Sequence, residues 1–312
     1  MYENIEMRQV FGSLLEEMME KDERIVVIDA DLAKANGTMN LRKKFPERAF
    51  DVGVAEQNMA SVAAGMAAYG FVPFICTFTP FATRRICDQV TISITYAKRN
   101  VKIVGTDPGI SAELNGGTHM SMEDIGVLRS IPNMVIFEPA DAVQLAKALP
   151  QIVDYDGVVY IRMFRKSFPI VFGDDYIFDL FKADVLKEGK DVTLYATGIM
   201  VKEALEAADI LADEGISAEI INVHTIKPID RETVVKSARK TGAAVSCENH
   251  NVIGGLYSAV AEVLIDECPV PVKAIGVQDH FGEVAKIDYL RKKYKMTAQD
   301  IAAAAREVIN KK

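Results

Sequence analysis

Short apolar runs alternate with stretches in which apolar residues return every three or four positions, and this rhythm holds along most of the chain. Runs of the first kind lie at 24–29, 50–54, 71–78, 101–105, 134–138 and 158–162, and again at 192–196, 218–223, 243–247 and 270–275. They are short, β-leaning and bounded by polar or turn residues, so they predict buried strands. The helical spacing between them predicts helices at 80–96, 141–151, 201–214, 230–240, 255–265, 286–293 and 297–308. A shorter helix begins at Ser121-Met122-Glu123-Asp124 and runs to Ser130. Strand–helix alternation in both halves predicts an α/β protein of two doubly wound domains, with mainly parallel sheets covered on both faces. Periodicity is lost over 164–190, where charge mixes with aromatic residues. This places the domains at 1–172 and 191–312, joined by a linker at 173–190.

The stretch 48–83 organises the first half. After the short strand, Gly53 allows a bend, and apolar residues then recur at Met59, Val62, Ala63, Met66 and Ala67, which is helical spacing. Gly70 suits the position just past a helix end, and Pro73 begins the next strand. Glu56 therefore falls in the first turn of a helix that follows a strand, the edge where open parallel sheets collect ligands. The helix is small-sided (Ala60, Ala63, Ala64, Gly65, Ala67, Ala68), which predicts close packing on its neighbours and not immersion in water. Taken by itself, Glu56 is either a glutamate stabilised by the helix dipole or a functional carboxylate that needs a partner.

No charged residue occurs over 58–83, long enough to raise a membrane span, but Gly65, Gly70, Pro73 and Pro80 break the stretch. A buried helix, a turn and a central strand account for it better. At 312 residues with 49% hydrophobic and 26% charged side chains, the chain has the composition of a soluble two-domain protein. A net charge of -8, with no basic cluster among aromatics, argues against a nucleic-acid surface. The four cysteines, Cys76, Cys87, Cys247 and Cys268, are scattered without metal or redox spacing, which fits reduced thiols in the cytoplasm. The first residues, with Val10, Phe11, Leu14 and Leu15 among acidic positions, predict an amphipathic helix and not a signal peptide. The long glycine-bearing loop 106–119 is of the kind that carries function.

Several ordered motifs carry a resemblance. They are Gly53-Val54-Ala55-Glu56-Gln57-Asn58-Met59, Thr77-Phe78-Thr79-Pro80-Phe81-Ala82-Thr83-Arg84-Arg85, and Gly117-Thr118-His119 with Glu123-Asp124. Ile131-Pro132-Asn133-Met134 with Pro139-Ala140-Asp141 completes the set in the first half. In the second half stand Asn222-Val223-His224-Thr225-Ile226-Lys227-Pro228-Ile229-Asp230, Glu248-Asn249-His250 with Gly254-Gly255-Leu256, and Asp279-His280-Phe281-Gly282-Glu283. Together they resemble the pyrimidine-binding and C-terminal domains of transketolases, over essentially the whole chain. The Gly-Asp-Gly motif of the family's diphosphate-binding domain is absent, Gly173-Asp174-Asp175 being followed by Tyr176. The nearest match is the C-terminal subunit of a split transketolase.

That resemblance implies thiamine diphosphate as cofactor, shared with a partner. The N-terminal subunit would hold the diphosphate and magnesium, with this chain holding no metal and self-dimerising within a heterotetramer. It implies Glu56 as the acid that hydrogen-bonds the coenzyme's aminopyrimidine nitrogen, Phe78 and Phe81 as its stacking aromatics, and Asp31 at the coenzyme-binding subunit interface. His119 and Asn115 would face the sugar, Asn115 standing where many members have an aspartate, and Arg165 would grip a sugar phosphate. Arg84 and Arg85 stand where a further aromatic is frequent, and Asp107 where a second phosphate-side histidine is frequent. His224, His250 and His280 take structural or interface roles. The implied activity is transfer of a two-carbon ketol unit from a ketose phosphate to an aldose phosphate. The alternatives are the beta subunit of a pyruvate-dehydrogenase-type decarboxylase, a deoxyxylulose-phosphate-synthase-like acceptor choice, and a non-catalytic α/β binding protein.

Overall fold

The computed structural model describes residues 2–312 and falls into two compact units. One runs to Pro108 and resumes over Val127–Leu180; the other comprises Gly109–Gly126 and Phe181–Lys312. The change of unit at 180/181 lies within residues 173–190, where a linker is expected.

The first unit opens with α1 (Met7–Lys21), β1 (Ile25–Asp29), α2 (Ala33–Asn36), α3 (Met39–Lys44) and β2 (Ala49–Asp51). It continues with α4 (Glu56–Ala68), β3 (Val72–Phe78), α5 (Thr79–Ala82) and β4 (Lys102–Thr106). The chain returns within α6 (Asp124–Arg129) and adds β5 (Val135–Phe137), α7 (Ala142–Asp154) and β6 (Val159–Met163). Its strands lie in the order β5-β6-β4-β3-β1-β2, every pairing parallel. Strands β1, β3, β4 and β6 are buried at every position, as expected of parallel strands covered on both faces. Chain order reverses beside β1, with β2 on one side and β3 on the other, which is the switch point where such sheets bind ligands.

The second unit contains β7 (Asp184–Lys187), β8 (Val192–Ala196), α8 (Met200–Asp213), β9 (Ala218–Asn222), β10 (Thr225–Lys227) and α9 (Arg231–Thr241). It ends with β11 (Ala244–Asn251), α10 (Leu256–Glu267), β12 (Val272–Val277), α11 (Ile287–Lys293) and α12 (Ala298–Ile309). Its sheet runs β12-β11-β8-β9-β7, parallel except for the antiparallel edge strand β7. The core between this sheet and its helices gathers Tyr195, Ile221, Val234, Leu256, Val260 and Leu264. Helix starts follow local chemistry: Asp141, Asp230 and Thr297 each accept a bond from a backbone N–H of the first turn, and Thr297 with Asp300 forms a capping box.

Local expectations change in four places. The helix expected at 80–96 is broken into α5, a 3-10 turn (Arg84–Ile86) and a π-helical segment (Gln89–Tyr96), because Thr83 leaves helical geometry at φ -127°, ψ -87°. Thr91 and Thr95 bond the carbonyls of Cys87 and Val90, the latter five residues back, which suits the wider turn. Between β1 and β2, where the periodicity predicts no helix, stand α2 and α3, and the stretch without periodicity contains β7. Helix α4 is buried only on the side bearing Glu56, Met59, Ala60, Ala63 and Ala64; Gln57, Ser61, Gly65 and Ala68 are exposed. Small side chains allow close packing but do not by themselves supply a neighbour. Among the described residues no helix is long and apolar enough to cross a membrane.

Helix α1 closes on the turn after α2 without side chains. A Cβ at Gly12 would lie 2.2 Å from the Gly37 carbonyl oxygen, and Gly37 has φ +84°. Gly12→Ala is therefore expected to destabilise the chain by about 1–3 kcal/mol, measured by urea unfolding, because rigid backbone must move to admit a methyl group.

Candidate active site at the carboxyl edge of the first sheet

The candidate residues of the first unit cluster where its parallel strands end. Asp31 follows β1, Glu56 begins α4 after β2, Phe78 ends β3, Asp107 follows β4 and Arg165 follows β6. Parallel register puts Phe78 opposite Thr106, and Thr106 opposite Met163, so the last three of these share one edge.

Glu56 is the first residue of α4 and is only 4% exposed. Its carboxylate is engaged across the chain: Arg85 Nη1 donates to Oε1 at 2.6 Å. The Arg85 guanidinium carbon lies 3.8 Å from the centre of the Phe81 ring, a cation–π contact, and the Arg85 carbonyl accepts from Gln57 Nε2 at 3.3 Å. The 3-10 turn that breaks the expected helix brings Arg85 there. Phe81 and Phe78 are 6.3 Å apart and tilted by 40°. Phe78 in turn carries Arg165, whose guanidinium carbon is 5.3 Å from its ring centre. Arg165 Nη2 is 2.7 Å from Oδ2 of Asp107, itself buried. The edge thus holds two buried carboxylates, each countered by an arginine lying against a phenylalanine.

Asp107 and Asp31 both have left-handed backbone, with φ +55° and +62°. That conformation costs a non-glycine residue free energy and is found most often at turns and functional sites. Burial pushes the Asp107 carboxyl up to about 6, and the charges of Arg165, Lys166 and Arg8 offset this only in part. Asp31 is exposed, and its backbone N–H donates to Asp51 at 2.9 Å. Two residues earlier, Asp29 is buried and accepts from Thr38 (2.7 Å) and Asn36 (3.1 Å); burial raises its carboxyl to about 6.

Asn115 and His119 belong to the second unit, because the segment Gly109–Gly126 is built into it. Gly109 has φ +56°, and a Cβ there would meet the Asn249 carbonyl at 2.3 Å. Asn249 accepts from Ile110 N–H at 2.9 Å, His250 Nε2 from Gly126 N–H at 3.4 Å, and Asn251 N–H donates to the Met122 carbonyl at 2.8 Å. Glu113 accepts from Ile287 N–H at 3.0 Å, and Gly117 faces the Gly282 carbonyl too closely for any side chain. Glu248 accepts from the N–H groups of Leu256 and Tyr257, starting α10. Asn115 is exposed and His119 half-buried, its Nδ1 2.9 Å from the Thr118 hydroxyl. Asn249, His250 and the Asn251 N–H therefore position the segment that bears His119, which gives the structural role expected of His250 a specific content.

Two partnerships escape the reading of the sequence: Arg85 with Glu56, and Arg165 with Asp107. Their one signal is that arginine and aspartate stand where an aromatic and a histidine are frequent. Among the described residues no group of three or more His, Cys, Asp or Glu could hold a metal ion.

Comparison with known proteins gives the family. Residues 3–170 match the family description "Transketolase, pyrimidine binding domain", and residues 181–301 match "Transketolase, C-terminal domain". The 6-deoxy-6-sulfo-D-fructose transketolase subunit SqwH of Clostridium sp. is 55% identical over 98% of this chain and 95% of its own length. One subunit of the apulose-4-phosphate transketolase of Phocaeicola vulgatus is 37% identical over 87% of each chain. A solved structure described as a split gene transketolase, inactive beta4 tetramer, superposes with a TM-score of 0.91 at 46% identity, over 98% of this chain and 99% of that one.

Burying the ionised Asp107 leads to a pH effect of definite sign. Its folded pKa lies above the ordinary carboxylate value, so its cost is absent well below pH 4 and grows as pH rises through about 6. Asp107→Asn should thus gain stability over the wild-type chain between about pH 4.5 and 7.5. The relative gain should be on the order of 1–3 kcal/mol by urea unfolding at the two pH values.

Proposed function

The chain belongs to the transketolase family, and we propose that it supplies the pyrimidine-binding half of a thiamine-diphosphate-dependent transketolase assembled from two kinds of polypeptide. A separate subunit holds the diphosphate and its magnesium ion, and two copies of each chain form the active heterotetramer. In this reading the chain acts in the cytoplasm, which suits its four free cysteines. The single observation that carries the proposal is Glu56, a buried carboxylate opening a helix at the sheet edge beside the phenylalanine pair.

The coenzyme, when bound, supplies a thiazolium carbanion able to add to a ketose carbonyl. The chain's own task would be to hold and orient the pyrimidine end of that coenzyme. Glu56 would hold the aminopyrimidine ring nitrogen by a shared proton, so that its carboxyl group tunes the basicity of the bound ring. Phe78 and Phe81 hold the flat ring by stacking, and Asp31 lines the coenzyme-side interface. His119 and Asn115 serve the sugar's carbonyl and hydroxyl groups. Arg165 grips the anionic end of the substrate with its guanidinium fork. The substrate class follows: a ketose that gives up a two-carbon unit to an aldose, with a phosphate at the far end of each.

A second donor has a specific observation behind it. The relative at 55% identity is described as acting on 6-deoxy-6-sulfo-D-fructose. A sulfonate presents oxygens that an arginine fork can also hold, so a sulfoketose belongs beside the sugar phosphates as donor.

Mixing the chain with its diphosphate-binding subunit, thiamine diphosphate and magnesium tests the proposal. Xylulose 5-phosphate or 6-deoxy-6-sulfofructose would be offered as donor and ribose 5-phosphate as acceptor. Ketol transfer supports it; lipoyl-linked decarboxylation of a 2-oxoacid, or no coenzyme binding in any combination, overturns it. Glu56→Gln should leave assembly intact while slowing exchange of the coenzyme's thiazolium proton by about two orders of magnitude or more, read by NMR after quench. Arg165→Met should raise KM for the anionic donor about ten- to a hundredfold with a smaller change in kcat, since a charge-assisted contact made in both ground and transition states is lost.

A further inference from the structure

The guanidinium of Arg85 makes the two kinds of contact that the proposed function asks of the aminopyrimidine ring. It donates to Glu56 Oε1 at 2.6 Å, and it lies close enough on Phe81 to bring its central carbon 3.8 Å from the ring centre. Both groups are planar, both can share an N–H with the Glu56 carboxylate (the ring nitrogen once it is protonated), and both use an aromatic face. With the guanidinium seated on Glu56 Oε1 and on the Phe81 ring, the oxygen and the ring face are both less available to a second planar group. We propose that Arg85 is a positioning residue that holds Glu56 in place and then yields it to the coenzyme ring, so that the two compete for the same oxygen.

Three features of the chain support an exchange over a fixed wall. The Arg85 side chain is 42% exposed while that of Glu56 is 5% exposed, so the arginine is the partner with room to leave. Arg85 sits in a single 3-10 turn, Arg84–Ile86, between two stretches of different helical pitch, and its backbone is tied to α4 through the Gln57 amide. The backbone can therefore stay docked while the side chain swings outward. Moreover, a buried carboxylate left with neither partner is costly, which favours a handover between the two over a carboxylate that waits alone. The inference rests on Glu56 being the coenzyme-facing acid.

The test uses the assembled complex with thiamine diphosphate and magnesium as probe. Arg85→Met keeps an apolar stem over Phe81 and removes the competing donors. Coenzyme affinity measured by calorimetry is expected to rise about tenfold, the scale of one charge-assisted hydrogen bond. Arg85→Lys, which keeps charge but loses the planar fork, is expected to fall between. In a Glu56→Gln background the gain from Arg85→Met should largely vanish, a coupling that a merely structural role for Arg85 would not produce. Unchanged or weaker coenzyme binding in Arg85→Met overturns the competition. If instead Glu56→Gln alone leaves affinity and thiazolium-proton exchange at wild-type values, the assignment of Glu56 fails, which is a separate result from failure at Arg85.

Discussion

A carboxylate removed from water must be given a cation or a proton, and the edge of the first sheet is arranged around two that need one. Glu56 is held by Arg85 at 2.6 Å and Asp107 by Arg165 at 2.7 Å. Each arginine uses the same device, lying against a phenylalanine that shields one side of the guanidinium. Phe81 and Phe78, 6.3 Å apart, link the two pairs. Charge, aromatic face and acid thus form one connected surface, in which a change at any member alters what its neighbours can bind. A third buried pair, Arg162 with Glu138 at 2.6 Å, lies fully inside the same unit and keeps its charges satisfied without reaching the surface.

What brings these groups together is the parallel sheet. In a parallel sheet all carboxyl ends face one way, so residues far apart in sequence (31, 56, 78, 107 and 165) arrive at one edge. The loops leaving that edge are not relaxed: Asp31 and Asp107 adopt positive φ. At Asp107 burial also raises the carboxyl to about 6. A left-handed backbone and an altered protonation equilibrium thus coincide at one strand end.

The second unit obeys a different logic. Its strand β11 ends, at 249–251, in groups that bind the backbone of that segment: the Asn249 side chain to Ile110, the His250 ring to Gly126, and the Asn251 N–H to the Met122 carbonyl. These bonds, with Gly109 and Gly117 packed against backbone carbonyls, fix the path of the segment bearing Asn115 and His119. A glycine is required at Gly109 on two counts, a positive φ and the Asn249 oxygens 2.3 Å from any Cβ.

Much of this was legible in the order of residues. Hydrophobic periodicity marked strands and helices in turn, since burial on two faces and on one stripe leave different spacings. Motif order pointed to the family, and the position of Glu56 at a helix start followed from Gly53 and the apolar residues after it. What sequence could not decide is whatever depends on distant groups meeting. Whether Arg85 replaces an aromatic wall or grips an acid turns on the break at Thr83 and a 3-10 turn, which redirect its side chain. That residues 109–126 join the second unit depends on hydrogen bonds between residues as far apart as Ile110 and Asn249. The exposed face of α4 likewise reflects which neighbours arrive, not how small its side chains are. Local spacing is set by nearest neighbours along the chain; charge pairing and segment docking are set only when the folded surfaces touch.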